Sequence, residues 1–162
     1  MIVGAVSLTS GAYETFTQNS PSIIDAVKAS ATYPVFFKPI KFNDQLWSDG
    51  GIKEIVPLKA AIDAGATHVD IIIPNPEKPT RWNEKKPTTI EVAMRVLELT
   101  YDEILSDDLR AILPTDGSVT HRLLRPSTSI TDSSLDFDPV KRNKMSELGF
   151  KEAQLLWPAP SL

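Results

Sequence analysis

Cysteine is absent from this chain of 162 residues, which excludes a disulfide, a thiolate nucleophile and a cysteine-based zinc site. Histidine is scarce: His68 and His121 are the only two, too few for a histidine-rich metal centre, and no metal or other cofactor is expected. An excess of basic charge is missing too. Lysine and arginine number 17 against 21 acidic residues, a net charge of −4, whereas nucleic-acid binders show a basic face, so no nucleic-acid partner is expected. No apolar run approaches the roughly 20 residues of a transmembrane helix. Met1 to Leu8 is apolar but has neither a basic n-region nor a full-length h-region. It does not read as a signal peptide, and a cytoplasmic protein, peripheral at membranes at most, is expected. The remaining composition, 41% hydrophobic and 23% charged, is that of an ordinary globular chain, and the length suits a single domain over residues 1–162.

The apolar run Ile2 to Leu8 reads as an interior strand of a parallel sheet. Ser20-Pro21 fits a helix start, with the helix running through Ile23, Ile24 and Val27 to about Ser30. Val35 to Phe42, Asn43-Asp44 and Gln45 to Trp47 read as a hairpin, because Asn-Asp tolerates the backbone angles of a tight turn. A helix near Pro57 to Ala64 is closed by Gly65, and Val69 to Ile73 reads as a buried strand. Residues 74–87, with Pro74, Pro76, Pro79 and Pro87, form a proline-rich surface loop. Within it Arg81, Trp82, Lys85 and Lys86 are candidates for touching anionic headgroups, although a solvated loop is the simpler account. Thr88-Thr89-Ile90-Glu91 fits a capping box before a helix with Ile90, Ala93, Met94, Leu97, Tyr101, Ile104 and Leu105 on one stripe. Arg122 to Arg125 reads as a strand, and Asp138-Pro139 starts a last helix to about Leu156. Strands alternating with helices indicate an α/β fold.

Several kinds of chemistry are ruled out by spacing. The glycines stand at positions 4, 11, 50, 51, 65, 117 and 149, and no pair has the separation of a dinucleotide fingerprint or a P-loop. None is followed two residues later by serine, so a G-x-S-x-G nucleophile elbow is absent. Ser7 and Ser10 lie nearest a strand end, but nothing around them forms an elbow, and a structural role is expected. His68 and His121 read as ordinary loop or strand-end residues. Asp136 and Asp138 have the look of a glycosidase pair, but Asp138 before Pro139 is more simply a helix cap.

The positive signal runs from Ala29 to Ala66. It comprises Ala29-Ser30-Ala31-Thr32-Tyr33-Pro34, Phe36-Phe37-Lys38-Pro39, Leu46-Trp47-Ser48-Asp49-Gly50-Gly51, Pro57-Leu58 and Ala64-Gly65-Ala66. This succession resembles the carboxyl-terminal half of patatin-like phospholipases, a family of lipid acyl hydrolases. The family pattern is an A-S-x-x-x-P segment, a hairpin, a D-G-G or D-G-A turn, an N-x-P-x-x-x-A helix and a G-A-x-x-[IV] strand. Ile55 stands where the family has asparagine. Ser7 to Gly11 with Phe16 is similar to an upstream stretch of the family, and Leu135 to Asp138 with Gly149-Phe150 to its closing segment, so the resemblance is expected over most of the chain.

The resemblance implies a three-layer α/β/α fold, present here as its C-terminal portion, and a Ser-Asp dyad in which Asp49 is the catalytic aspartate. Gly50 and Gly51, lacking Cβ atoms, would let another backbone come close to it. Trp47, Phe36 and Phe37 are the candidates for lining an acyl pocket and for keeping the aspartate's surroundings apolar, which would raise its pKa toward that of a general base. The family's serine elbow and glycine-rich oxyanion loop have no counterpart among these residues. The chain alone is therefore expected to be inactive toward lipid esters, its substrate in the complete enzyme. A preceding segment or a partner chain would supply the serine, and the missing strands would leave an open sheet edge. The alternative is a non-catalytic interaction or lipid-binding module on the same scaffold.

Overall fold

Ile2–Ser7 (β1) lies between two antiparallel partners, which corrects the expectation of a parallel sheet. Tyr13–Thr17 (β2) pairs along one side, from Ile2 opposite Thr17 to Val6 opposite Tyr13. Gln45–Asp49 (β4) pairs along the other, with Ala5 opposite Asp49 and Ser7 opposite Trp47. Ile40–Phe42 (β3) pairs with β4, giving the order β2-β1-β4-β3. Short connections dictate the β1–β2 and β3–β4 pairings, since a tight turn joins only antiparallel strands, whereas β4 joins β1 across two intervening strands and a helix. Gly11, at φ 75°, closes the β1–β2 turn by donating to the Ser7 carbonyl at 2.8 Å. Asn43 and Asp44, at φ 47° and 56°, form the β3–β4 turn expected of them. The outer strands of this sheet are β2 and β3.

The computed structural model describes residues 1–77, 82, 86–112, 118–129 and 138–157. The expectations placed on Arg81 and Lys85, and on Leu135, Asp136 and Phe137, lie outside the described residues. The chain divides into two compact units, Met1–Thr67 with Thr88–Val119, and His68–Pro87 with Thr120–Leu162.

In the first unit, Ile23–Ser30 (α1) begins later than Ser20-Pro21 suggests, because Ser20 turns its hydroxyl to accept from the Thr17 N–H at 3.0 Å instead of capping the helix. Its small buried residues Ala26 and Ala29 share a core with Ala5, Phe16, Phe42 and Trp47. The Phe42 and Trp47 rings stack at 4.9 Å, and Phe16 meets both edge-on at 5.6 and 5.3 Å. Trp47 Nε1 donates to the Phe42 carbonyl at 3.1 Å, so the buried indole keeps its partner. The hairpin strand expected from Val35 starts only at Ile40. Val35 has φ 74°, which breaks the extended run, and the Phe37 N–H turns back to the Tyr33 carbonyl at 3.1 Å.

Leu58–Asp63 (α2) ends as expected at Gly65. There φ is 93°, and Gly65 and Ala66 donate to the carbonyls of Ile62 and Ala61. Thr89–Ile112 (α3) carries the expected capping box: Glu91 accepts from the Thr88 N–H at 2.6 Å and donates its own N–H to the Thr88 hydroxyl at 3.3 Å. Its stripe is buried only in part, with Leu105 inside and Ile90 exposed.

In the second unit His68–Ile72 (β5) and Thr120–Leu124 (β6) run parallel, from His68 opposite Thr120 to Ile72 opposite Leu124. Pro139–Leu156 (α4) is capped by Asp138, which accepts from the N–H groups of Val140 and Lys141 at 2.9 Å each. The fold is mixed α/β. Among the described residues, no helix is long and apolar enough to cross a membrane.

Candidate functional site

Asp49 is the last residue of β4 and the cap of the 3-10 turn Gly50–Ile52, so the sheet delivers its carboxylate to a strand end. Oδ1 accepts from the Gly51 N–H at 2.8 Å. Burial pushes the carboxyl above the ordinary aspartate value, and the Gly51 hydrogen bond, which favours the ionised form, pulls it partly back. Two phenols feel its charge. Tyr33 is raised by burial first, then by Glu98 and Asp49. Tyr101 is pushed up to about 12, by burial first, then by Tyr33 and Asp49. The two rings meet edge-on at 6.0 Å, and Phe36 stacks on Tyr33 at 5.9 Å.

Gly50 is where the chain needs an absent side chain. A Cβ there would lie 2.7 Å from the Gly4 carbonyl oxygen of β1 and 3.2 Å from the Tyr13 ring. Gly4 makes room in turn, since a Cβ on it would run into that same ring. A Cβ on Gly51 would meet only the Asp49 carboxylate, at 3.2 Å, and Ile55. The expected close approach of another backbone thus belongs to Gly50.

Two further carboxylates bear on the turn. Burial raises the Tyr13 phenol and the Glu54 charge raises it further, while burial raises the Glu54 carboxyl as well. Asp108 of α3 accepts from the backbone N–H groups of Ile55 and Val56 at 2.8 and 3.2 Å. The segment after Asp49 is therefore held at both ends, by Asp49 itself and by a helix far along the chain. On the other side of Asp49, Ser48 donates to the Thr32 carbonyl at 3.2 Å, which ties β4 to the A-S-x-x-x-P segment.

The aromatic candidates are divided between two environments. Trp47 is 1% exposed and belongs to the core. Phe36 and Phe37 stand on the turn before β3, 48% and 54% exposed. Ser7 is fully buried, with its hydroxyl committed to Gln45 and to the N–H groups of Thr9 and Ser10 at 3.2 and 3.1 Å, and so organises the β1–β2 turn. Ser10 donates to the same Gln45 oxygen at 3.3 Å. His68 and His121 are residues of β5 and β6. Among the described residues no group of three or more His, Cys, Asp or Glu could hold a metal ion.

Sequence reasoning did not single out Tyr13, Glu54 or Asp108. Each acts through a tertiary partner and carries no local motif. Tyr33 and Tyr101 did leave a signal, inside a quoted motif and on the α3 stripe.

The resemblance expected over most of the chain narrows to its N-terminal part. It takes in Asp49, Gly50, Gly51, Phe36, Phe37 and Trp47 and stops before Gly65-Ala66, Asp138 and Gly149-Phe150. Residues 8–62 match the family model described as Patatin-like phospholipase, which supports a lipid acyl hydrolase family at the coarse level.

Proposed function

We propose that this chain contributes the acid half of a Ser-Asp dyad that cleaves carboxylic ester bonds of phospholipids or acylglycerols. The observation that carries the proposal is Asp49: a carboxylate at a strand end, half-buried, raised by burial, and lying within the matched stretch. In this mechanism Asp49 takes the proton of a serine hydroxyl as the serine oxygen attacks the ester carbonyl. The tetrahedral intermediate collapses to an acyl-serine while the proton passes to the departing alcohol. Water, deprotonated by the same carboxylate, then releases the fatty acid. No G-x-S-x-G occurs in these residues, so the serine comes from another polypeptide segment, either joined to this one or carried by a partner chain.

The test is an ester assay of the chain combined with a segment from the same coding region that carries a G-x-S-x-G. Nitrophenyl acyl esters should be hydrolysed, and Asp49→Asn should lower kcat by about 10²- to 10⁴-fold, the usual worth of a general base. An active enzyme indifferent to Asp49→Asn removes Asp49 from the mechanism. Turnover by the 162-residue chain alone, abolished by Asp49→Ala, would mean that a serine within it is the nucleophile.

One observation favours a second reading, a non-catalytic module on the same scaffold. The Asp49 carboxylate already has a structural task, capping the Gly50–Ile52 turn. If no G-x-S-x-G segment restores hydrolysis, that task is the reason for Asp49.

A further inference from the structure

Val35, Phe36 and Phe37 follow one another on the turn before β3 with 65%, 48% and 54% of their surface exposed. Scattered exposed apolar residues are ordinary, but three in succession on an irregular turn are not. Val35 is held at φ 74°, a conformation that a β-branched residue rarely adopts. The local hydrogen bond from Phe37 to Tyr33 therefore keeps the tip in a shape that displays its side chains at a local conformational cost. Charge follows the same stretch. Between Asp25 and Asp44 the chain carries Lys28, Lys38 and Lys41 and no carboxylate, and Lys38 and Lys41 are exposed. An apolar wedge bordered by cations is complementary to a lipid surface, where rings enter the acyl region and ammonium groups meet anionic headgroups.

We infer that the Val35–Phe37 tip, bordered by Lys38 and Lys41, is a docking surface for an anionic lipid bilayer. Phe36 stacks on Tyr33, and Tyr33 meets Tyr101, the two phenols that feel the Asp49 charge. A run of aromatic rings thus leads from the docked tip to the two phenols that feel the Asp49 charge. The inference deepens the lipid hydrolase reading by naming the surface that meets the substrate, and it rests on that reading for its purpose. Its test does not need hydrolysis.

The 162-residue chain is sedimented with vesicles of phosphatidylcholine alone and of phosphatidylcholine with about a third phosphatidylserine. Binding should be tighter to the anionic vesicles. Val35→Asp and Phe37→Asp, each at an exposed position, should each weaken it about tenfold or more, the worth of withdrawing one apolar side chain from the acyl region. Lys38→Glu should weaken binding to the anionic vesicles by about fivefold or more and leave the neutral ones unaffected. Leu155→Asp, at an apolar position 80% exposed on α4, should change nothing. Circular dichroism of each variant establishes that it is folded. The inference is overturned if the wild-type chain binds neither vesicle, if the tip variants bind as well as wild type, or if Leu155→Asp causes an equal loss. Asp49→Asn should bind vesicles like wild type, so failure of the dyad reading and failure of the docking surface give different results.

Discussion

The sheet of the first unit and the strand pair of the second are held together by different physics. In the first, Phe16, Phe42 and Trp47 are withdrawn from water and packed ring against ring, with the small Ala26 and Ala29 completing the core. In the second, Ile71 and Ile73 are buried as well, but the side-chain contacts that join β5, β6 and the end of α4 lie in solvent. Arg122 of β6 makes a bidentate pair with Asp70 of β5 at 2.7 and 2.9 Å, lies 5.0 Å over the Trp157 ring, and shares Asp70 with the Trp157 Nε1. None of the α4 residues is buried. Geometry alone would rank the bidentate pair as the stronger device, but exposed ion pairs are screened by water and salt, whereas each buried ring contributes its full transfer free energy. The candidate active-site aspartate is anchored in the unit built on buried rings.

Substitutions can break or sharpen this contrast. The largest effect should come from Trp47→Ala, which removes a fully buried ring and a hydrogen bond and should cost about 3–5 kcal/mol in denaturant unfolding. A loss below about 1 kcal/mol would mean that the ring stack is not what holds the sheet. Gly50→Ala should cost about 1–3 kcal/mol, because its Cβ meets the rigid backbone of β1 rather than a movable side chain.

Asp49→Asn tests the burial of the site by pH. A carboxyl raised in the folded state binds protons there more readily than in the unfolded chain. Folded stability therefore falls as pH rises from the ordinary aspartate value through the raised one. Asparagine lacks that penalty, so the variant should be the more stable at neutral pH, with the gain vanishing at acid pH. A pH-independent difference would place the carboxylate in water. Arg122→Gln should have the smallest effect of all, and what there is should shrink with added salt. A large, salt-insensitive loss would overturn the ranking of the two units.

Features written in consecutive residues were legible from the sequence. The Thr88–Glu91 capping box, the Asp138 cap, the Gly65 stop and the Asn43-Asp44 turn each need only their neighbours, and each is found as expected. The direction of β1 was not legible. A continuous apolar run reports only that both faces are covered, as Ala5 and Val6 are, and does not say which way the neighbouring strands run. The same limit applies at the site. Asp49-Gly50-Gly51 is a contiguous motif and was visible, whereas Asp108 reaches the backbone of Ile55 and Val56 from a distant helix and was not. The extended run from Val35 was misjudged for a local reason: the positive φ at Val35 goes against the preference of its own side chain.

The Asp108 contact also bears on where this polypeptide can be cut. A piece trimmed to residues 8–62 would lose β1, which pairs with β4 as far as Asp49, and also the acceptor of the two amides just beyond the turn. Those amides would then have to find water, and the aspartate would stand on a loosened hinge. The shortest excised fragment able to hold the carboxylate in place therefore starts with β1 and reaches almost to the end of α3, well past the stretch in which the likeness to lipid hydrolases is written.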